Sequence, residues 1–144
     1  MFHTIVVAFN DSAESQRALA SAVQLAVSLR AELQAVTVMA DPPAYTAYAS
    51  VVDASITRVL EDDRRMFYEQ LQEKARAFAD RFGVTLHTHL VEGRQVESIV
   101  AYLRERNADL LVIGLHQRDL HISRLWSTVY ELAQDAPCSV LGVH

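Results

Sequence analysis

At 144 residues, 51% of them hydrophobic and 22% charged, the chain can bury a substantial core and is expected to form one domain over residues 1–144. Its net charge of −5 excludes a general nucleic-acid binder, which needs a basic surface to neutralise phosphates. No apolar run reaches membrane-spanning length, Met1 to Thr4 lead into a strand rather than a secretory leader, and the single cysteine, Cys138, cannot form an internal disulfide. The expectation is a cytoplasmic protein with neither nucleic acid nor membrane as partner.

Thr4, Ile5, Val6, Val7, Ala8 and Phe9 form a β-branched apolar run and predict a first strand over 4–9. Asn10, Asp11 and Ser12 interrupt it with turn and N-cap chemistry, although Ser12 is followed three residues on by Ser15 rather than Glu. Ala18, Leu19, Ala22, Val23, Leu25, Ala26 and Leu29 then recur at helical spacing, and 33–39 reads as a second strand. Pro42 and Pro43 stop that strand, because proline offers no ladder donor. Residues 44–50, with Tyr45 and Tyr48, read as a loop.

Val52, Ile56, Val59, Leu60, Met66, Phe67, Leu71, Phe78 and Phe82 mark a long amphipathic helix with Glu61, Asp62, Arg64, Arg65, Glu69 and Lys74 on its polar face. Gly83 suits its C′ position. Residues 84–91 alternate, which predicts a third, less buried strand at a sheet edge. After a turn at Glu92, Gly93 and Arg94, residues Val96, Ile99, Val100 and Leu103 predict a short helix ending near Asn107. Leu110 to Ile113 are continuously apolar up to Gly114, the pattern of a strand buried on both faces. A last helix carries Leu125, Val129, Leu132 and Ala133, Pro137 breaks it, and 138–143 is a final strand. The alternation implies an α/β doubly wound fold, a five-stranded, mostly parallel sheet with helices on both faces.

The stretch 109–128 carries the functional signal. A strand that stops at Gly114, feeds a polar loop and enters a helix puts free backbone N–H groups at the carboxyl edge of the sheet, where open α/β sheets bind ligands. His116, Arg118, His121 and Arg124 crowd this loop opposite Asp119, which suits either an anionic ligand or a solvated charged loop. Asn10 and Ser12 either line a pocket or simply cap the first helix. His87 and His89 share one strand face without a third ligand at metal-site spacing, so a solvent-facing pair is favoured over half a zinc site. Cys138 reads as a core thiol, Trp126 and Tyr130 as aromatic packing. No P-loop, dinucleotide fingerprint, nucleophile elbow or zinc-protease spacing occurs, and the chain is expected not to be an enzyme.

In order along the chain, Ile5-Val6-Val7-Ala8 before Asn10-Asp11-Ser12, Val91-Glu92-Gly93 before a helix, Ala108 to Gly114, and Ala136-Pro137-Cys138-Ser139-Val140-Leu141 resemble the universal stress protein family over the whole length. The resemblance implies a sheet ordered 3-2-1-4-5, a role in stress response, and a homodimer through the last strand, residues 139–143. One branch of that family binds ATP through Gly-x2-Gly-x9-Gly followed by Ser or Thr. Here Gly114 and Thr128 fill the first and last positions, but Gln117 and Ser127 replace the inner glycines, and Asn10 stands where an acidic residue usually follows the first strand. Gln117 resists positive φ and Ser127 places a Cβ where a phosphate would approach. The resemblance therefore implies a regulatory protein with impaired or absent binding of ATP with Mg²⁺. An ATP-binding switch or slow ATPase using residues 114–128, and a sensor of another anionic metabolite, are the alternatives. The candidate nucleotide- or anion-binding residues are Asn10, Ser12, Met39, Gly114, Gln117, Arg118, Ser127 and Thr128.

Overall fold

Among the described residues, nine segments satisfy their backbone groups as strands or helices in the order that the periodicity predicts. The computed structural model describes residues 1–39, 51–116 and 128–144. Its elements are β1 (Thr4–Ala8), α1 (Ala13–Leu29), β2 (Glu32–Met39), α2 (Ala54–Asp80), β3 (Leu86–Glu92), α3 (Gln95–Glu105), β4 (Leu110–Gly114), α4 (Thr128–Asp135) and β5 (Ser139–Val143). All neighbouring strands pair in parallel, in the order β3-β2-β1-β4-β5, so the predicted doubly wound sheet and its strand order are those observed. Leu125, Tyr45 and Tyr48 lie outside the described residues.

The two central strands explain the continuous apolar runs. Ile5 and Val7 of β1 and Leu110 and Val112 of β4 face one helical layer, in a core shared with α1 and the C-terminal half of α2. Val6, Leu111 and Ile113 face the other, against Ile99, Val100 and Leu103 of α3 and Leu132 of α4. Alternate side chains thus enter different cores, and each contributes roughly 1.5–3 kcal/mol of burial. At the amino edge, the Asp109 carboxylate accepts the N–H groups of His3 (2.7 Å) and Thr4 (3.1 Å), while Asp109 N–H donates to the Thr4 carbonyl (3.0 Å). That clamp holds the β1–β4 register, in which Ile5 lies beside Leu110.

β3 is an edge strand, as its weaker alternation predicts. Inside the layer that it shares with α3, the Tyr102 hydroxyl donates to Gln34 Oε1 (2.5 Å), and burial pushes the phenol up to about 12. The end of α2 is set by Gly83. Its φ of +73° lets Gly83 N–H reach the Asp80 carbonyl (3.0 Å) and Val84 N–H the Ala79 carbonyl (3.1 Å).

The apolar residues of α2 do not form the single core-facing stripe that the sequence predicts. Leu71, Ala75 and Ala79 are buried, whereas Ile56, Val59, Met66, Phe67 and the flanking Val52 and Phe82 are exposed. The helix is simply longer than the strand it covers. Among the described residues, no helix is long and apolar enough to cross a membrane.

Gly83→Ala forces a Cβ into the left-handed region and is expected to lower stability by about 1–2 kcal/mol in urea unfolding. Leu111→Ala, which opens a cavity between fully buried neighbours, is expected to cost about 2–5 kcal/mol in the same measurement.

Candidate functional site

The candidate site lies at the carboxyl edge of the sheet, where β1 and β4 end side by side. The turn from β1 into α1 is a closed hydrogen-bond network. Asn10 Oδ1 accepts the Ser12 N–H (2.8 Å), and Ser12 Oγ accepts the Ser15 N–H (3.2 Å) as the helix N-cap. Ser15, which is buried, accepts the Asn10 N–H (3.2 Å) and places its hydroxyl within 2.7 Å of the Asn10 carbonyl and 3.0 Å of the Ser12 carbonyl. The Ser12 N–H that a capping-box Glu would accept goes instead to Asn10 Oδ1, and Ser15 ties the helix start back to Asn10. Of the two uses open to Asn10 and Ser12, the structure displays the cap.

Glu14 completes this end of the helix. Hydrogen bonds from its own backbone N–H and from the Ser12 hydroxyl hold its carboxyl below the ordinary value, with His116 and Arg17 adding attraction. His116 Nε2 lies 3.3 Å from Glu14 Oε1. The donors that a helix N-terminus would offer an anion are therefore partly taken by the chain itself, and a carboxylate sits among them.

Gly114 ends β4 directly beneath this turn. A Cβ at Gly114 would lie 2.3 Å from the Glu14 carbonyl oxygen and 2.4 Å from its carbon, so the first turn of α1 can pack here only over a glycine. Leu115 N–H then donates to the Val143 carbonyl (2.7 Å), extending the β4–β5 ladder by one residue. The extension brings His116 and His144 to one cleft of about 530 Å³, which Glu14 and Arg17 also line. Such a volume falls within the range of small-molecule sites.

Of the predicted site residues, the structure brings Asn10, Ser12 and Gly114 to this edge. Met39 is buried at the end of β2, and Thr128 is half-buried at the start of α4. Gln117, Arg118 and Ser127 lie outside the described residues, with Asp119, His121, Arg124 and Trp126. Sequence reasoning missed Glu14, Ser15, Arg17 and His144. An acid in a first helical turn was the available signal for Glu14, but it signals a dipole partner rather than a cleft wall. His144 had none, because only strand register brings it to His116.

The other candidate groups stay apart from the cleft. His89 packs on Tyr102 with ring centroids 5.1 Å apart, and its Nδ1 lies 3.4 Å from Arg106. Burial and Arg106 hold its imidazolium below the usual range. No cluster of three or more His, Cys, Asp or Glu that could hold a metal occurs among the described residues. Cys138 is half-buried, and burial pushes its thiol up, which fits a core residue.

A family model described as "Universal stress protein family" matches residues 1–144. Universal stress protein C of Salmonella typhi is 28% identical over 112 residues, 78% of this chain and 81% of that protein. A universal stress family protein from Burkholderia pseudomallei superposes with a TM-score of 0.74 at 30% identity, covering 99% of this chain and 96% of the other. A universal stress protein solved in complex with cAMP superposes with a TM-score of 0.77 at 27% identity, over 99% and 97% of the two chains.

Gly114→Ala is expected to cost about 1–3 kcal/mol by overpacking, read from chemical unfolding. The Glu14 contribution has a defined sign. A carboxyl whose folded pKa is depressed stabilises the fold above its ordinary pKa and loses that contribution as pH falls through the lowered value. Glu14→Gln is therefore expected to be less stable than the parent at neutral pH, with the difference vanishing in acid, as followed by thermal unfolding against pH.

Proposed function

This chain belongs to the universal stress protein family, and we propose that it acts as a non-catalytic, homodimeric stress-response regulator whose nucleotide pocket is weakened. The observation that carries this reading is the self-satisfied carboxyl edge. Asn10, Ser12 and Ser15 use one another's hydrogen-bonding groups, Glu14 brings its carboxylate to the α1 terminus, and the Cα of Gly114 is covered by the Glu14 backbone. A triphosphate arriving there would lose solvation and meet like charge without gaining those donors. The replacements Gln117 and Ser127 act in the same direction.

A second reading, a nucleotide switch, has one specific support. The relative solved with cAMP covers almost the whole chain, and the cleft beside Gly114 has room for a small ligand flanked by Arg17 and His116. Mg²⁺ would enter with a triphosphate and be held chiefly by its phosphates, with Glu14 the side-chain carboxylate that lines this cleft among the described residues.

Dimerisation is the second part of the proposal. β5 is an edge strand, and its residue Leu141 is exposed, so its outer backbone groups need a cover. Pairing with β5 of a second copy supplies one with two-fold symmetry.

Thermal unfolding with about 1 mM Mg-ATP or cAMP is the direct test of the pocket. A dissociation constant near that concentration adds only about 0.4 kcal/mol, so a shift under about 2 °C is expected. A rise of many degrees at that concentration would favour the nucleotide switch instead. Light scattering at micromolar protein is expected to return twice the chain mass, and Leu141→Asp to return the monomer.

A further inference from the structure

α2 outruns the sheet. Its 27 residues extend about 40 Å, against about 23 Å for the seven residues of β3 beside it. Arg76 bonds the Thr88 hydroxyl, and eleven residues earlier Arg65 Nη2 lies 3.9 Å from Glu92 Oε1 at the carboxyl end of β3. The helix therefore runs antiparallel to β3, and the turns before Arg65 rise past the carboxyl rim. Every large side chain that α2 buries lies at Leu71 or later.

The half of α2 toward and beyond the rim carries its own apolar band. Ile56 is 44% exposed, Val59 59%, Met66 56% and Phe67 50%, with Val52, 79% exposed, just ahead of the N-cap Asp53. At about 100° per residue the four positions within α2 form a band roughly 100° wide, turned some 130° from the buried face. Single exposed apolar residues are ordinary, but four on one helical band are a surface whose removal from water is favourable. Asp63 falls within the band between Val59 and Met66, Asp62 and Glu69 border it on one side, and Arg64 borders it on the other. Arg65, on the sheet side, already faces Glu92.

We propose that this band is a docking surface for a basic amphipathic helix of another protein. The partner would lay large apolar residues at i, i+3, i+4 and i+7 along Ile56, Val59, Met66 and Phe67. Lysine or arginine beside that stripe would meet Asp62, Asp63 and Glu69. Charge selects this occupant over the alternatives. A second copy laid on the band brings further carboxylates to Asp62 and Asp63 within a chain of net charge −5, and an anionic membrane surface is repelled by the same acids. This surface is separate from β5 and from the cleft at Gly114.

The test titrates the full chain with a labelled synthetic helix of about eighteen leucines and lysines in that pattern, and with its glutamate-bordered counterpart. The lysine helix is expected to bind, and the glutamate helix at least tenfold more weakly. The exposed double substitution Val59→Ser with Met66→Ser is expected to weaken binding at least tenfold while leaving the circular dichroism and thermal midpoint unchanged. Asp63→Asn is expected to weaken binding severalfold and to flatten its salt dependence. Equal binding by parent and double variant, or no binding of the lysine helix at about 1 mM, overturns the proposal. So does a change in subunit number caused by the double substitution, which would make the band an interface between copies.

Discussion

The first turn of α1 lies so close to the end of β4 that no side chain larger than hydrogen fits between them. This contact ties the helix start to the central strand pair, and much else at this edge follows from it. With Glu14 seated over Gly114, the β1–α1 turn must be tight, and Asn10, Ser12 and Ser15 close it by bonding to one another. At the opposite edge the Asp109 carboxylate fixes the same two strands by accepting two N–H groups of the β1 start. The central pair is thus pinned at both ends, and its fully buried side chains can divide between two helical layers without slipping register.

The same contact governs the chemistry of the edge. A carboxyl terminus of a parallel sheet is a natural anion site when its neighbouring helix offers unpaired N–H groups. Here Ser12 and Glu14 use such groups internally, and the carboxylate that does so also lines the cleft. A ligand must displace those bonds or find its donors elsewhere, with Arg17, His116 and His144 the cationic or protonatable side chains that line the cleft among the described residues. Family membership sets the ligand class worth testing, while these residues set how strongly this chain can bind it.

α2 shows how a single periodic pattern can serve two surfaces. Its C-terminal half is held by Leu71, Ala75 and Ala79 over the sheet, and by the Gly83 turn that follows. Its N-terminal half stands beyond the rim, where the same kind of apolar spacing faces water. Sequence periodicity reports that a helix has an apolar side, but the length of the strand beneath decides how much of that side is covered.

The sequence by itself determined the element order, the parallel buried centre, the edge position of β3 and the Gly83 stop, because each depends on local spacing or on one residue's backbone freedom. It also determined Ser12 as a helix start, since a hydroxyl before a helical period has an intrinsic capping geometry. Only the tertiary structure decided that Gly114 is required by the Glu14 backbone, that Asn10 accepts the Ser12 N–H that a capping acid would usually take, and that His116 and His144 share one cleft. Those outcomes depend on approach distances and strand register between segments far apart in the chain. Nothing in local periodicity encodes such distances; the packing of both helical layers onto the sheet sets them.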